Sequence, residues 1–399
     1  MMDEGVRADE ARYVMQTYKR APVEFVRGDG ALLFDQEGKE YLDLLGGISV
    51  ASVGHCHPRV VEAIRAQAGE LLHVSNLFYT APMVELAKRL SESSLGGKVF
   101  FVNSGTEANE CAIKIARKAA RARGVEEPQI VSFASDFHGR SYGSLSATPG
   151  LAENPDFGPM LPGFRSVPVD DADALREAID ANTAAVLIEP IQGEAGVFPV
   201  ADETLLAARH ACDEVGALLI FDEIQTGIGR TGSLWAYEQG PVRPDVITTA
   251  KALGGGTAIG ACIGNPVTGE ILGAGDHGST FAAGPVAASA ALAVLGLVDD
   301  PVLLRRVRSL GAAMMERLAE MDGVSEVRGR GLMIGVGLEA GIDAGELNAS
   351  LLEKGLVANA PRPDSLRLLP PFVLTDEQSD RALALIADCL DGYHPNESN

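Results

Sequence analysis

Ala217-Leu218-Leu219-Ile220-Phe221-Asp222-Glu223-Ile224-Gln225 and, further on, Asp245-Val246-Ile247-Thr248-Thr249-Ala250-Lys251 decide how this chain is read. Each is a short apolar run that ends on a charge. A continuous apolar run of this length suits a strand buried on both faces of a parallel sheet, and such a strand delivers its last side chain to the sheet's C-terminal edge. A lysine at the end of a core strand is costly unless something uses it, because burial disfavours the charged ammonium. Read alone, the pair is also compatible with a solvated lysine and a helix-capping acid. One chemistry needs both groups: pyridoxal 5'-phosphate, with Lys251 bonded to the cofactor and Asp222 holding its pyridine nitrogen protonated.

The rest of the chain fits that reading. Strands are predicted at Val99–Asn103, Ile130–Ala134, Ala185–Glu189, Leu218–Asp222 and Val246–Thr249. They alternate with helices at Glu107–Arg123, Ala172–Ala181 and Thr204–Val215. Alternation of this kind gives an α/β fold, a mostly parallel sheet with helices on both faces. A long helix near Val286–Met321 ends the pattern. Val327–Val336, Leu356–Asn359 and Leu366–Leu368 read as short strands, and a helix over Asp376–Leu390 comes after Thr375 as its N-cap. A hairpin turning at Gly38 opens the chain. The expected division is an N-terminal segment, residues 1–55, joining a small α+β domain formed by residues 291–399, with the large cofactor-binding domain at 56–290.

The chain has 399 residues and a formal net charge of −22. That balance argues against a sequence-independent nucleic-acid surface or an anionic membrane surface, both of which need clustered Lys and Arg. The N-terminus lacks a basic flank and an apolar core, so no secretory signal is read there. The uncharged stretch from His277 to Val298 is interrupted by Gly278, Gly284 and Pro285 and reads as a buried Ala-rich helix, not a span. Five scattered cysteines without a CxxC suit reduced thiols and a cytoplasmic enzyme. His55-Cys56-His57 has no further Cys/His pair spaced to complete a four-ligand site, so no metal is expected.

Other segments carry candidate chemistry. Asn103-Ser104-Gly105-Thr106-Glu107 is a small-residue turn between a strand and a helix, the arrangement that supplies N–H donors and a favourable dipole to phosphate. Gly227-Ile228-Gly229-Arg230-Thr231-Gly232 is a literal GxGxxG. The next segment, Ser233-Leu234-Trp235-Ala236-Tyr237-Glu238, is too short and polar for the helix of a dinucleotide site, and Asp222 precedes the glycines instead of lying beyond the next strand. The glycine run reads as a mobile loop. Phe137 and Arg140 lie just past another strand end, where a ring can stack on a flat cofactor and a guanidinium can take a carboxylate. Glu189 and Glu194 lie at a further acid-bearing strand end, and Arg367 sits in an apolar strand where it must find an anion.

With these motifs in order, the chain resembles the class-III PLP-dependent aminotransferases, and among them the acetylornithine aminotransferase branch. The likeness runs through Gly54–Pro58, His73–Thr80, Asn103–Asn109, Phe137–Arg140, Glu189–Gly196, Asp222–Gly232, Lys251, His277–Phe281 and Leu366–Pro371. It implies the fold type I architecture and pyridoxal phosphate as cofactor. Lys251 would bond the cofactor and shuttle the proton, and Asp222 would pair with the pyridinium nitrogen. Gln225 would reach the ring hydroxyl, while Ile224 and Phe137 sandwich the ring. Gly105 and Thr106 would bind phosphate, joined by Thr280 from the neighbouring subunit of a homodimer. Arg367 and Glu194 would form a switch, paired for the ω-amine and parted for 2-oxoglutarate. Arg140 and Ser279 would hold the distal carboxylate. Ile48 stands where ornithine aminotransferases have a tyrosine for the free α-amine, which favours N-acetylornithine and a place in arginine biosynthesis. Succinylornithine, ornithine, 4-aminobutyrate and N-succinyldiaminopimelate are the alternative amine donors, and an aminomutase or decarboxylase the alternative reaction. Where the family continues with Gly-Gly-Asn-Pro, this chain has Ala282-Ala283-Gly284-Pro285.

Overall fold

The computed structural model describes residues 4–169 and 171–393. Its centre is a seven-stranded sheet in the order Val99–Val102, Gly260–Gly264, Val246–Thr249, Leu218–Asp222, Thr183–Ile188, Gln129–Phe133, Phe164–Val167. All neighbours run parallel except Gly260–Gly264, which is antiparallel to both of its neighbours. The Thr183–Ile188 strand is buried at every position, as a strand covered on both faces must be. The helix Gly105–Ala122 covers one stretch of the sheet with Cys111, Ala112, Ile115 and Ala116. Small side chains at this face let helix and strands approach closely.

Two sheet strands were not expected, Phe164–Val167 and Gly260–Gly264. The second begins and ends on glycine for a steric reason. A Cβ on Gly260 would lie 2.9 Å from the Ser104 carbonyl and 3.0 Å from that of Thr249. The expected long helix at 286–321 is two helices, Pro285–Val298 and Pro301–Ala319, bent by 72° at the break. Proline has no N–H to continue the first helix, and Asp300 caps the second by accepting from Val302 N at 2.8 Å. The Ala-rich first helix lies between Pro58–Glu70 and Ala81–Glu92 and is largely buried. No single helix among the described residues is long and apolar enough to cross a membrane.

The C-terminal part is a four-stranded antiparallel sheet, with the expected 327–336 segment resolved into a hairpin of Val324–Arg330 and Met333–Leu338. Ser365–Leu368 pairs with Met333–Leu338 on one side and Asn359–Arg362 on the other. The opening hairpin, Leu32–Asp35 with Glu40–Asp43, is extended by Leu356–Val357, which runs parallel to Glu40–Asp43. Thr375 caps the last helix, accepting from Gln378 N at 3.1 Å while the Gln378 side chain accepts from Thr375 N at 3.0 Å.

The glycine-rich loop expected to be mobile is instead buried and wrapped around Arg230. That guanidinium donates from Nε to Ser49 Oγ (2.9 Å), from Nη2 to Ser52 Oγ (2.7 Å), and from Nη1 to the carbonyls of Leu332 and Pro370 (2.8 and 2.7 Å). It also lies over the Phe372 ring. Burial lowers its pKa to about 9. Arg230 therefore ties the Gly46–Ser52 turn to the Leu332 hairpin turn and to Pro370, two residues past the strand that carries Arg367. In that turn Gly46, Gly47, Ile48 and Ser49 all have positive φ (58°, 60°, 60° and 65°). A β-branched residue in this region is strained, so the turn depends on its anchors.

Candidate active site

The C-terminal ends of the parallel strands converge on one cavity of about 440 Å³. Asp222 ends one strand, Lys251 comes just after the next, and Glu189 and Asp136 lie beyond the ends of two more. This is where an open α/β sheet presents its loops. The cavity is lined by Asn103 to Thr106 from one wall, Phe137 to Arg140 from another, and Glu189, Glu194, Asp222, Ile224, Gln225 and Lys251. Ten of the residues expected at the site therefore meet there: Lys251, Asp222, Gly105, Thr106, Phe137, Ile224, Gln225, Arg140 and Glu194 line it, and Arg367 bonds to Glu194 at its edge.

Asp222 is held by three donors. Its Oδ2 accepts from Asn109 Nδ2 (2.7 Å) and His138 Nδ1 (2.8 Å), and its Oδ1 from Ile224 N (3.0 Å). Asn109 Oδ1 in turn accepts from Thr248 Oγ1 at 2.8 Å, which orients the amide. His138 Nε2 lies 3.4 Å from Asp136 Oδ2, an ion-pair separation without hydrogen-bond alignment. Burial alone would lower the imidazole's pKa, but the two flanking carboxylates raise it to about 10. An imidazolium between two acids is the result. Glu189 accepts from Phe137 N (2.7 Å) and Gly193 N (3.1 Å), and burial together with the charges of Asp136 and Asp222 raises its pKa to about 8.

Lys251 has φ of 38°, a conformation unfavourable for any residue but glycine, directly before a glycine-rich turn. Burial lowers its pKa, Glu194 opposes that, and Arg367 adds to it. The cavity thus favours the neutral, nucleophilic amine more than water does. Arg367 is fully buried and donates from Nη1 to Glu194 Oε1 at 2.6 Å, from Nη1 to Gln225 Oε1 at 3.4 Å, and from Nη2 to Asn359 Oδ1 at 2.7 Å. Burial pushes the Glu194 carboxyl up, but the adjacent Arg367 more than offsets it and the net shift is downward.

At the opposite wall, Ser104 caps the Gly105–Ala122 helix and accepts from Glu107 N. The N–H groups of Gly105 and Thr106 have no intrahelical partner, as in any first turn. A Cβ on Gly105 would lie 2.7 Å from Ile224 Cδ1 and 2.9 Å from its Cγ2, so a larger residue here would displace the Ile224 side chain from the cavity wall. Ser279 does not line the cavity itself, but its Oγ accepts from the lining residue Asn103, from Nδ2 at 3.0 Å. Thr280 is exposed and is not among the residues lining its own chain's cavity. Ile48 is exposed as well; Val50, two residues on, lines the wall. In the His55-Cys56-His57 segment, His55 pairs with Asp43 (2.6 Å) and His57 caps a helix.

A family profile described as Aminotransferase class-III matches residues 13–390. The chain belongs to the class-III aminotransferases. Among its relatives, the acetylornithine aminotransferase of Caldanaerobacter subterraneus subsp. tengcongensis is 45% identical over 388 residues, covering 96% of this chain and 98% of that one. That of Methanocaldococcus jannaschii is 45% identical over 376 residues, or 93% and 94% of the two chains. Among solved structures, the ornithine aminotransferase of Toxoplasma gondii superposes with a TM-score of 0.92 at 35% identity, covering 98% and 95%. The N-acetylornithine aminotransferase of Stenotrophomonas maltophilia gives 0.82 at 36%, covering 96% and 98%.

Class-III aminotransferases work with pyridoxal 5'-phosphate, and this aminotransferase shares that cofactor and acts on small molecules. Its cavity fits the group. A helix N-terminus at Gly105, packed against Ile224, suits the phosphate, a carboxylate held by donors on the protein side suits a pyridinium, and a buried, pKa-lowered lysine suits the aldehyde. Asn109 and His138 lie inside the Asn103–Asn109 and Phe137–Arg140 motifs, yet nothing in the sequence alone assigned them a role, and Asn359 carried no signal at all.

Proposed function

We propose that this aminotransferase moves the terminal amine of N2-acetyl-L-ornithine to 2-oxoglutarate, a step of arginine biosynthesis. The carrying observation is the Arg367–Glu194 ion pair at the edge of the cavity that contains Lys251. A terminal amine brings no carboxylate to the reacting carbon, whereas 2-oxoglutarate does. A guanidinium capped by a carboxylate on a loop serves both: closed, it offers a neutral wall, and opened, it clamps a carboxylate bidentately. The relatives' names and the aliphatic Ile48 support the acylated amine.

Bound in this cavity, pyridoxal phosphate would supply an electron sink that acidifies the C–H bond beside the substrate amine. Asp222 keeps the ring nitrogen protonated, held in place by Asn109 and His138. Phe137 and Ile224 would hold the ring between them, Gln225 would reach the ring hydroxyl, and Gly105 and Thr106 would bind the phosphate at the helix N-terminus. Lys251 Nζ would take the proton from the substrate carbon and deliver it to the cofactor's former aldehyde carbon, so that the amine stays with the cofactor. Arg140, whose guanidinium lies 5.5 Å from the Phe137 ring centre at the cavity mouth, takes the distal carboxylate with Ser279.

The working unit in this reading is a homodimer in the cytoplasm. Leu77, Tyr79 and Phe281 are exposed at 84%, 95% and 71%, near Thr280, which does not line the active-site cavity of its own chain. A second copy that covers this apolar surface brings Thr280 to the partner's phosphate site. In this division residues 1–55 join the small domain of residues 291–399, beside the 56–290 cofactor-binding body; residues 1–3 and 394–399 lie outside the described residues. Sedimentation equilibrium should give twice the chain mass; a monomer that turns over at full rate would exclude the shared site.

The substrate test uses one half-reaction. N-acetylornithine alone should abolish the visible absorbance of the cofactor-loaded enzyme, and 2-oxoglutarate should restore it. A response to ornithine in place of N-acetylornithine would keep the family and overturn the substrate.

A further inference from the structure

We infer that Asn359 is a positioning residue that holds the Arg367 guanidinium in register when Glu194 releases it, and so sets affinity for the dicarboxylate half of the reaction. The inference rests on the proposed Arg367–Glu194 switch.

Arg367 lies in the Ser365–Leu368 strand between two neighbours. Its cross-strand partner on one side is Gly335, which has no side chain to restrain it. On the other side the partner is Asn359, and the register shifts just beyond it, between Asn359 and Arg362. Directly opposed residues on antiparallel strands bring their side chains together. Here the amide oxygen accepts from Arg367 Nη2 at 2.7 Å, shorter than the 3.4 Å separating Nη2 from Glu194 Oε2 and Nη1 from Gln225 Oε1. Arg367 Nε is buried without a hydrogen-bond partner, so the guanidinium's orientation rests on its two terminal nitrogens.

When a substrate carboxylate displaces Glu194, Nη1 loses its 2.6 Å partner and must find the incoming anion. A buried guanidinium free to rotate at that moment would bind the carboxylate with one donor or in the wrong plane. Asn359 prevents this because its 2.7 Å bond holds Nη2, to which Glu194 makes only a 3.4 Å contact, and so it persists when Glu194 leaves. Its neutral amide matters as well. It restrains the cation without neutralising it, leaving the full charge for the substrate, whereas a carboxylate in its place would compete for the same fork.

The test uses the holoenzyme and two readouts. Calorimetric titration with glutarate, which offers two carboxylates and no keto group, reports the clamp without turnover. Separate single-turnover rates with N-acetylornithine and with 2-oxoglutarate divide the two halves. Asn359→Ala should weaken glutarate binding about tenfold, the scale of one hydrogen bond to a charged group. It should raise the 2-oxoglutarate concentration for half-maximal rate equally, while the N-acetylornithine half stays within about twofold. Asn359→Asp should weaken glutarate more than the alanine variant does. Asn359→Ser is read in the same way if the alanine variant does not fold.

Equal losses in both halves, or no loss in either, would overturn the role of Asn359. Arg367→Ala is measured alongside. If it leaves glutarate binding unchanged, the switch itself fails, which is distinct from a failure confined to Asn359.

Discussion

Lys251→Ala should reduce formation of glutamate from N-acetylornithine and 2-oxoglutarate by at least ~10⁴-fold, with the protein still folded. Removing the amine takes away the covalent partner of the cofactor and the base that moves the proton, and positioned proton transfer alone contributes ~10²- to 10⁴-fold. Among the described residues no other amine lines the cavity to replace it. The substitution should not destabilise the fold. Lys251 carries a left-handed φ of 38° and a pKa lowered by burial, so alanine relieves the desolvation and leaves the backbone strain unchanged. A second readout is independent of turnover. Borohydride treatment of the wild-type holoenzyme should fix the cofactor on the peptide containing Lys251, and the alanine variant should show no fixed cofactor. Wild-type turnover in the variant, or a cofactor fixed on a different lysine, would remove the whole assignment.

Lys251 and Asp222 were legible because each is a charge at the end of an apolar run, and burial makes such a charge conspicuous. Most of the parallel strands were legible as apolar runs, but Phe164–Val167 was not, because Arg165 and Ser166 interrupt it and are exposed at the sheet edge. The Gly260–Gly264 strand was not, because its glycines answer to the Ser104 and Thr249 carbonyls beside them, and no local propensity records a neighbour. The break at Pro301 could have been read from Asp299-Asp300-Pro301, a capping acid before a residue without an N–H; the apolar periodicity on either side masked it. The hydrogen bonds around Asp222 lie further from reach. Asn109 and Asp222 are 113 residues apart and meet only because a helix lies across the sheet. Asn359 was hidden by the bulge that sets it opposite Arg367. A resemblance carries a family's named residues, but it does not carry the side chains that orient them.

Asp222→Asn should lower the maximal rate by ~10²- to 10³-fold at neutral pH, the scale of losing one preorganised charge at a reacting centre, with substrate affinity changed much less. Three donors meet this carboxylate, from Asn109, His138 and Ile224. An amide brings donors of its own, so one face of the new side chain opposes an N–H and cannot hold a ring nitrogen protonated. The pH dependence of stability tests the same network without catalysis. His138 has its folded pKa raised to about 10 from 6.5, so its contribution is fully present below 6.5 and is lost as pH rises through 10. Glu189, raised to about 8 from 4.5, works in the same direction, but its loss is complete once pH passes 8. Between pH 8 and 10 His138 still lowers stability as pH rises, joined above 9 by the buried Cys212 thiol. Arg230 and Lys251, whose pKa values burial lowers, oppose it, so the difference between variant and wild type is what reports His138. Removing the Asp222 charge leaves the imidazole with Asp136 alone, at 3.4 Å and poorly aligned, so its folded pKa should fall. The melting temperature of the variant should then decline less steeply than wild type from pH 8 to 10, even though it starts lower. Parallel declines would mean that His138 does not carry its charge on behalf of Asp222, and a variant with an unchanged maximal rate would mean that the carboxylate does not act on the ring.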